Sequence, residues 1–190
     1  MAEPSESLLG RVAAGIATSR GPTPSGRAQR SILSQAAEAY GRKPAEAEST
    51  VPTGFDPMAA SLFEAVIEAA FLVANADGVF DEAEQSTFET VVAEACKNSV
   101  QRSELSALVA DLREQLDEDG AAHRISMVAQ VVSESEHKLE VLRIAALMAH
   151  ISGGVDDSER KLMDDLARQF GLDQQAVDAA LQQAQLALGR

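Results

Sequence analysis

Ala74-Asn75-Ala76-Asp77-Gly78-Val79-Phe80-Asp81-Glu82-Ala83-Glu84 ends one apolar run and opens another. Shifted by 75 positions without gaps, it meets a second copy of itself: Asp81-x-x-Glu84 falls on Asp156-x-x-Glu159. Gly78 falls on Gly153, Phe80 on Val155, Ile67 on Leu142, Leu72 on Leu147 and Phe88 on Met163. The correspondence runs from about Val66/Val141 to Ala95/Phe170. Two helix–acidic-turn–helix units related by an internal pseudo-repeat are the simplest reading. Asp77 falls on Ser152, so the two turns are not equivalent.

Helical spacing continues on both sides of these turns. Met58, Leu62, Phe63, Val66, Ile67, Ala70 and Phe71 form a stripe that predicts a helix over 57–76, with Pro57 in the first turn. Gly78 lets the backbone leave that helix. Asp81 and Glu84 have the spacing of a capping box and predict a helix from Asp81 to Asn98. Ser103, a favourable N-cap, opens a helix that Asp119-Gly120 stops. Further helices are predicted over 121–133 and 136–151. The second of these is apolar almost all round, as a central helix of a bundle should be. Asp156 and Glu159 repeat the capping box for a helix ending at Gly171. A last helix runs from Asp173 through Leu188. No alternating strand pattern is present. The expected fold is all-α, a compact bundle of about seven helices.

The chain changes character near residue 56. All six prolines lie at or before Pro57, and residues 1–56 carry equal numbers of basic and acidic side chains. The net charge of −14 therefore belongs wholly to 57–190. Residues 1–56 read as a flexible Pro/Gly/Ser-containing tail, with two short amphipathic pieces at Ser7–Ser19 and Ser31–Tyr40. A segment that docks on a partner or a membrane surface is the other reading of that tail. The helical domain is assigned to 57–190.

Such acidity opposes nucleic-acid binding, which relies on Lys and Arg, and suits cations or basic protein surfaces. Cys96 is the single cysteine, so no internal disulfide forms and a reducing compartment fits. The first residues lack the basic region of a secretory signal, and no apolar run has the length of a membrane span. The cytoplasm is the expected location.

Asp77, Asp81, Glu82 and Glu84 place four carboxylates within eight residues. Hard cations such as Ca²⁺ or Mg²⁺ take oxygen ligands of this kind. Laid on the back half of an EF-hand loop, with Glu84 in last place, the stretch puts Val73 first, where no side-chain oxygen is available. Capping alone also accounts for Asp81 and Glu84, since acids favour a helix N-terminus. Both readings stay open. Glu134-x-x-His137 has the spacing of carboxylate di-iron bundles, but those need a second such pair, which neither His123 nor His150 completes. Cys96 falls on a buried stripe and reads as a core thiol rather than a nucleophile. No nucleophile motif or phosphate-binding glycine loop is present. The chain reads as a non-enzyme.

Ala76-Asp77-Gly78-x-Phe80-Asp81-x-x-Glu84 after an apolar helix, echoed by Gly153-x-Val155-Asp156-x-x-Glu159, resembles the TerB-like tellurite-resistance family. The resemblance covers about residues 58–188. It implies an all-helical domain that binds a divalent metal through its acidic turns and acts as a scaffold for protein partners near the membrane in chemical stress. Carried over residue by residue, the implied ligands are Asp77, Asp81, Glu84, Asp156 and Glu159. Ser152 stands where the family has an acid, which weakens the second site. The alternative is a metal-free interaction module whose N-terminal tail docks elsewhere.

Overall fold

The computed structural model describes residues 4–22, 28–42, 56–152 and 155–189. Every helix predicted after residue 56 forms. They are α3 (Pro57–Ala74), α4 (Glu82–Ala95), α5 (Arg102–Asp119), α6 (Ala121–Val131), α7 (Ser135–Ala149), α8 (Asp157–Gln169) and α9 (Gln174–Ala187). A short 3₁₀ turn, His150–Ser152, follows α7. The fold is all-α.

The caps explain the boundaries. Asp56 Oδ1 accepts hydrogen bonds from the Met58 and Ala59 N–H groups (3.0 and 3.3 Å), and Pro57 occupies the first turn of α3. α5 begins ahead of the expected Ser103 cap, because Glu104 Oε2 reaches back to the Gln101 N–H (2.8 Å). A bond to a carboxylate outweighs one to a neutral hydroxyl. Asp173 Oδ1 accepts from Ala176 N–H (3.1 Å) and opens α9.

α3 and α7 pack against each other at the centre. Phe63, Val66, Phe71 and Val73 of α3 and Val141, Leu142, Ala145 and Leu147 of α7 have no exposed surface. These are the first helices of the two repeat units, so the pseudo-repeat places its most apolar elements together. The second helices differ. α8 lies on α6, α3 and α7, whereas α4 lies chiefly on α1 and α5. By length and composition the 18-residue α3 could cross a membrane, contrary to the expectation that no run is long enough. Its apolar face is instead buried among the other helices, as for the core helix of a bundle.

The part of the chain before residue 56 adds to this core. Both short amphipathic pieces are helices, α1 (Pro4–Ala17) and α2 (Ile32–Tyr40). Val12, Ile16 and Leu33 are fully buried, and Tyr40 stacks on Phe63 of α3 at 4.6 Å. Helices this short are marginal in isolation; the apolar area they bury on α3, α4 and α7 stabilises them. The described parts of 1–56 thus pack on the domain rather than beside it. The Pro/Gly/Ser-rich stretches at 23–27 and 43–55 lie outside the described residues.

A strand pair, not expected from the sequence, links the two helices: β1 (Thr18–Pro22) pairs antiparallel with β2 (Ala28–Arg30). It is held by main-chain pairing, which needs no apolar alternation to form. It is closed by Ser31 N–H donating to the Ala17 carbonyl (3.0 Å).

Two buried charged residues of α7 fasten this segment. Glu140 Oε1 accepts the Ile32 N–H (3.0 Å), and its Oε2 accepts the Ser19 hydroxyl (3.3 Å). Arg143 donates to the Gly15 carbonyl (2.7 Å) and to the Thr18 carbonyl. These carbonyls close the end of α1, where helical partners run out. The two side chains are 7% and 8% exposed and lie 3.8 Å apart. Burial pushes the Glu140 carboxyl upward, against the Ile32 N–H, the Arg143 guanidinium and the Ser19 hydroxyl, which pull it down.

Candidate functional site

The first acidic turn is built on α3. Gly78 adopts a left-handed φ of +81°, which its missing Cβ permits, and its N–H bonds the Asn75 carbonyl (3.0 Å). Asp77 Oδ1 accepts the Val79 N–H (2.8 Å), closing an Asx turn. Phe80 then folds inward. It meets Phe71 at 5.3 Å and Phe88 at 5.9 Å, both edge to face, and the Arg113 guanidinium lies 5.7 Å from its ring centre. That anchor fixes where Asp81 starts α4.

Asp81 and Glu84 form the predicted box. Glu84 N–H donates to Asp81 Oδ1 (2.8 Å), and Asp81 N–H donates to Glu84 Oε2 (3.1 Å). Asp156 and Glu159 reproduce it at α8: Glu159 N–H to Asp156 Oδ1 is 2.8 Å, and Asp156 N–H to Glu159 Oε2 is 2.9 Å. All four are therefore caps in the described geometry. Gly153 and Gly154 of the second turn lie outside the described residues.

The two boxes differ in depth. Asp81 and Asp156 are both exposed, but Glu84 is half-buried while Glu159 is buried at 6% exposure. Its carboxyl is pushed up to about 7, first by burial and further by the negative charges of Asp156, Asp77 and Glu84, against the Asp156 N–H bond that pulls it down. Asp77 and Glu84 belong to the first turn, so the fold brings the two acidic turns close enough to act on one buried carboxyl. Among the described residues, no three Asp, Glu, His or Cys side chains already converge in a metal-holding group.

The raised Glu159 carboxyl has a consequence for stability. Its ordinary value is 4.5, so between about 4.5 and 7 the native chain holds a proton that the unfolded chain has lost. The associated stability is complete below that window and is lost as pH rises through it. Glu140, also raised, acts with the same sign. We expect Glu159→Gln, which keeps the box, to flatten the fall in urea-unfolding free energy between pH 5 and 8, leaving the Glu140 contribution. Parallel wild-type and mutant curves would show that Glu159 is ionised throughout.

Other side chains singled out in the sequence are accounted for locally. Cys96 is buried, and burial pushes its thiol to about 12, so it is protonated at neutral pH. His137 Nε2 lies 3.5 Å from Glu134, a pair with no third ligand beside it among the described residues. His150 is buried with its Nδ1 2.7 Å from the Ala146 carbonyl. Sequence reasoning passed over Glu140 and Arg143. Their signal was present, as two opposite charges one turn apart within the otherwise apolar run 139–149. Set against known proteins, the chain matches no family model, no curated protein and no solved structure.

Proposed function

We propose that the paired acidic turns form a divalent-cation site on a non-enzymatic helical scaffold. The observation that supports this is the raised Glu159 carboxyl, on which acids of both turns act together. Like charges crowded beside a buried carboxyl are relieved either by a proton or by a cation, and a hard cation prefers oxygen ligands. Asp77, Glu84, Asp156 and Glu159 are the residues that would hold it, with Asp81 supporting from the cap. Their second carboxylate oxygens are outside the box bonds, so ligation does not require breaking either cap. A role beside protein partners in chemical stress is what the likeness of the turns to the TerB-like family adds; the cytoplasm is the location that suits the single cysteine. The metal-free interaction module is favoured by one observation, the lack of three converging ligands among the described residues.

Calorimetric titration of the full chain with Ca²⁺, Mg²⁺ and Mn²⁺ separates the two readings. Asn caps about as well as Asp, and Gln serves in the box as Glu does. Asp81→Asn with Glu84→Gln therefore keeps the cap and removes two negative charges. The cation reading expects wild type to bind, to release protons from Glu159 near pH 7, and to gain about 2.7 kcal/mol at a hundredfold excess over Kd. The double variant should gain much less. Wild type that takes up none of the three ions at millimolar concentration leaves the turns as caps.

A further inference from the structure

Beside the first acidic turn lies a cavity of about 330 Å³ between the start of α1, the start of α4 and the end of α7. Leu9, Phe80, Phe88, Met148 and Ile151 give it an apolar wall. Its polar lining residues are Thr87, Asp81 and Glu84, and none of its described lining residues is basic. The volume falls at the small end of ligand pockets, which run from about 300 to 1,000 Å³.

The charge on this wall selects the occupant. Asp81 Oδ1 and Glu84 Oε2 are taken by the capping box. The other oxygen of each takes no hydrogen bond among the described residues. Ionised carboxylates only accept, so a polar group in their reach must donate. A cationic donor makes the stronger, charge-assisted bond, and an anionic head meets repulsion from two carboxylates, while the Arg113 guanidinium, outside the lining, is engaged by the Phe80 carbonyl and ring. The apolar wall in turn favours a hydrocarbon or aromatic body.

We propose that this cavity binds a small organic cation, a primary amine on an apolar body, with the body against Phe80, Phe88, Met148 and Ile151 and the ammonium on Asp81 and Glu84. The site stands on the cavity and its charge and requires no bound divalent cation. The one shared element is the Asp81–Glu84 carboxylate pair.

The test uses octylammonium, 1-octanol and octanoate as probes of one body with three heads, titrated into the full chain with EDTA present so that no divalent ion contributes. Octylammonium should bind about tenfold more tightly than octanol, the gain of one charge-assisted bond, and octanoate should not bind. Methyl NMR signals of Leu8, Leu9, Met148 and Ile151 should move on titration. Asp81→Asn with Glu84→Gln should abolish the preference for the amine while keeping octanol binding. Thr87→Phe enlarges a wall residue whose own hydroxyl bond is local, to the Ala83 carbonyl, and should abolish binding of all probes. Should Thr87→Phe not fold, the methyl shifts of wild type decide alone. Failure of octylammonium to bind at millimolar concentration, octanoate binding as well as the amine, or shifts confined to methyls elsewhere would each overturn the proposal.

Discussion

Arg143→Ala should destabilise the protein by about 3–5 kcal/mol, because it removes one partner of a buried ion pair and leaves the other uncompensated. The guanidinium is the donor for the Gly15 and Thr18 carbonyls that close α1, and it faces Glu140, which in turn holds Ile32 and Ser19. Losing it leaves two carbonyls without that donor and a carboxylate in an apolar setting at once. The expected readout is a lower urea midpoint with an unchanged m-value, together with new proteolytic cleavage in 18–22 and 28–31. Removing both charges with similar volume, as Glu140→Leu with Arg143→Met, should cost less than the single change, since no buried charge is left over. A single-mutant loss under about 1 kcal/mol would mean that water already reaches the pair and that the latch is decorative.

Leu147→Ala is expected to cost about 2–5 kcal/mol, the range of buried leucines. Leu147 has no exposed surface and belongs to the central α7. A Cβ built on Gly15 would lie 3.3 Å from both of its methyl carbons, so α1 closes over it where a glycine allows the approach. Held between α1 and the α3–α7 interface, the site has little freedom to collapse into the space a smaller side chain leaves. Equilibrium denaturation gives the value. A loss below about 1 kcal/mol would place α7 at the surface and contradict the bundle.

The helices from Pro57 to Ala187 were legible because their determinants are local. Apolar residues at helical spacing define each buried stripe, and Asp81, Glu84, Asp156, Glu159, Gly78 and Asp173 mark the ends through bonds to neighbours two to four positions away. The apolar run of 136–151 announced one central helix; that its repeat partner α3 is the other came from the packing. Composition likewise settled the acidic balance of 57–190.

What the tertiary structure alone decided depends on residues far apart in sequence. The packing of α1 and α2 rests on apolar burial against α3, α4 and α7 and on Glu140 and Arg143, more than a hundred positions from the groups they bind, so a local reading of 1–56 met only proline, glycine and short helices too weak to persist alone. The strand pair follows from the same contacts, because main-chain pairing leaves no side-chain pattern to read. The meeting of the two acidic turns is also tertiary. The spacing of Asp77 and Glu84 says nothing of Glu159, yet the packing of α3 on α7 carries both turns to one end of the bundle, where burial and three neighbouring charges set the protonation of that carboxyl. Charge and burial add through space, and sequence separation does not enter into either.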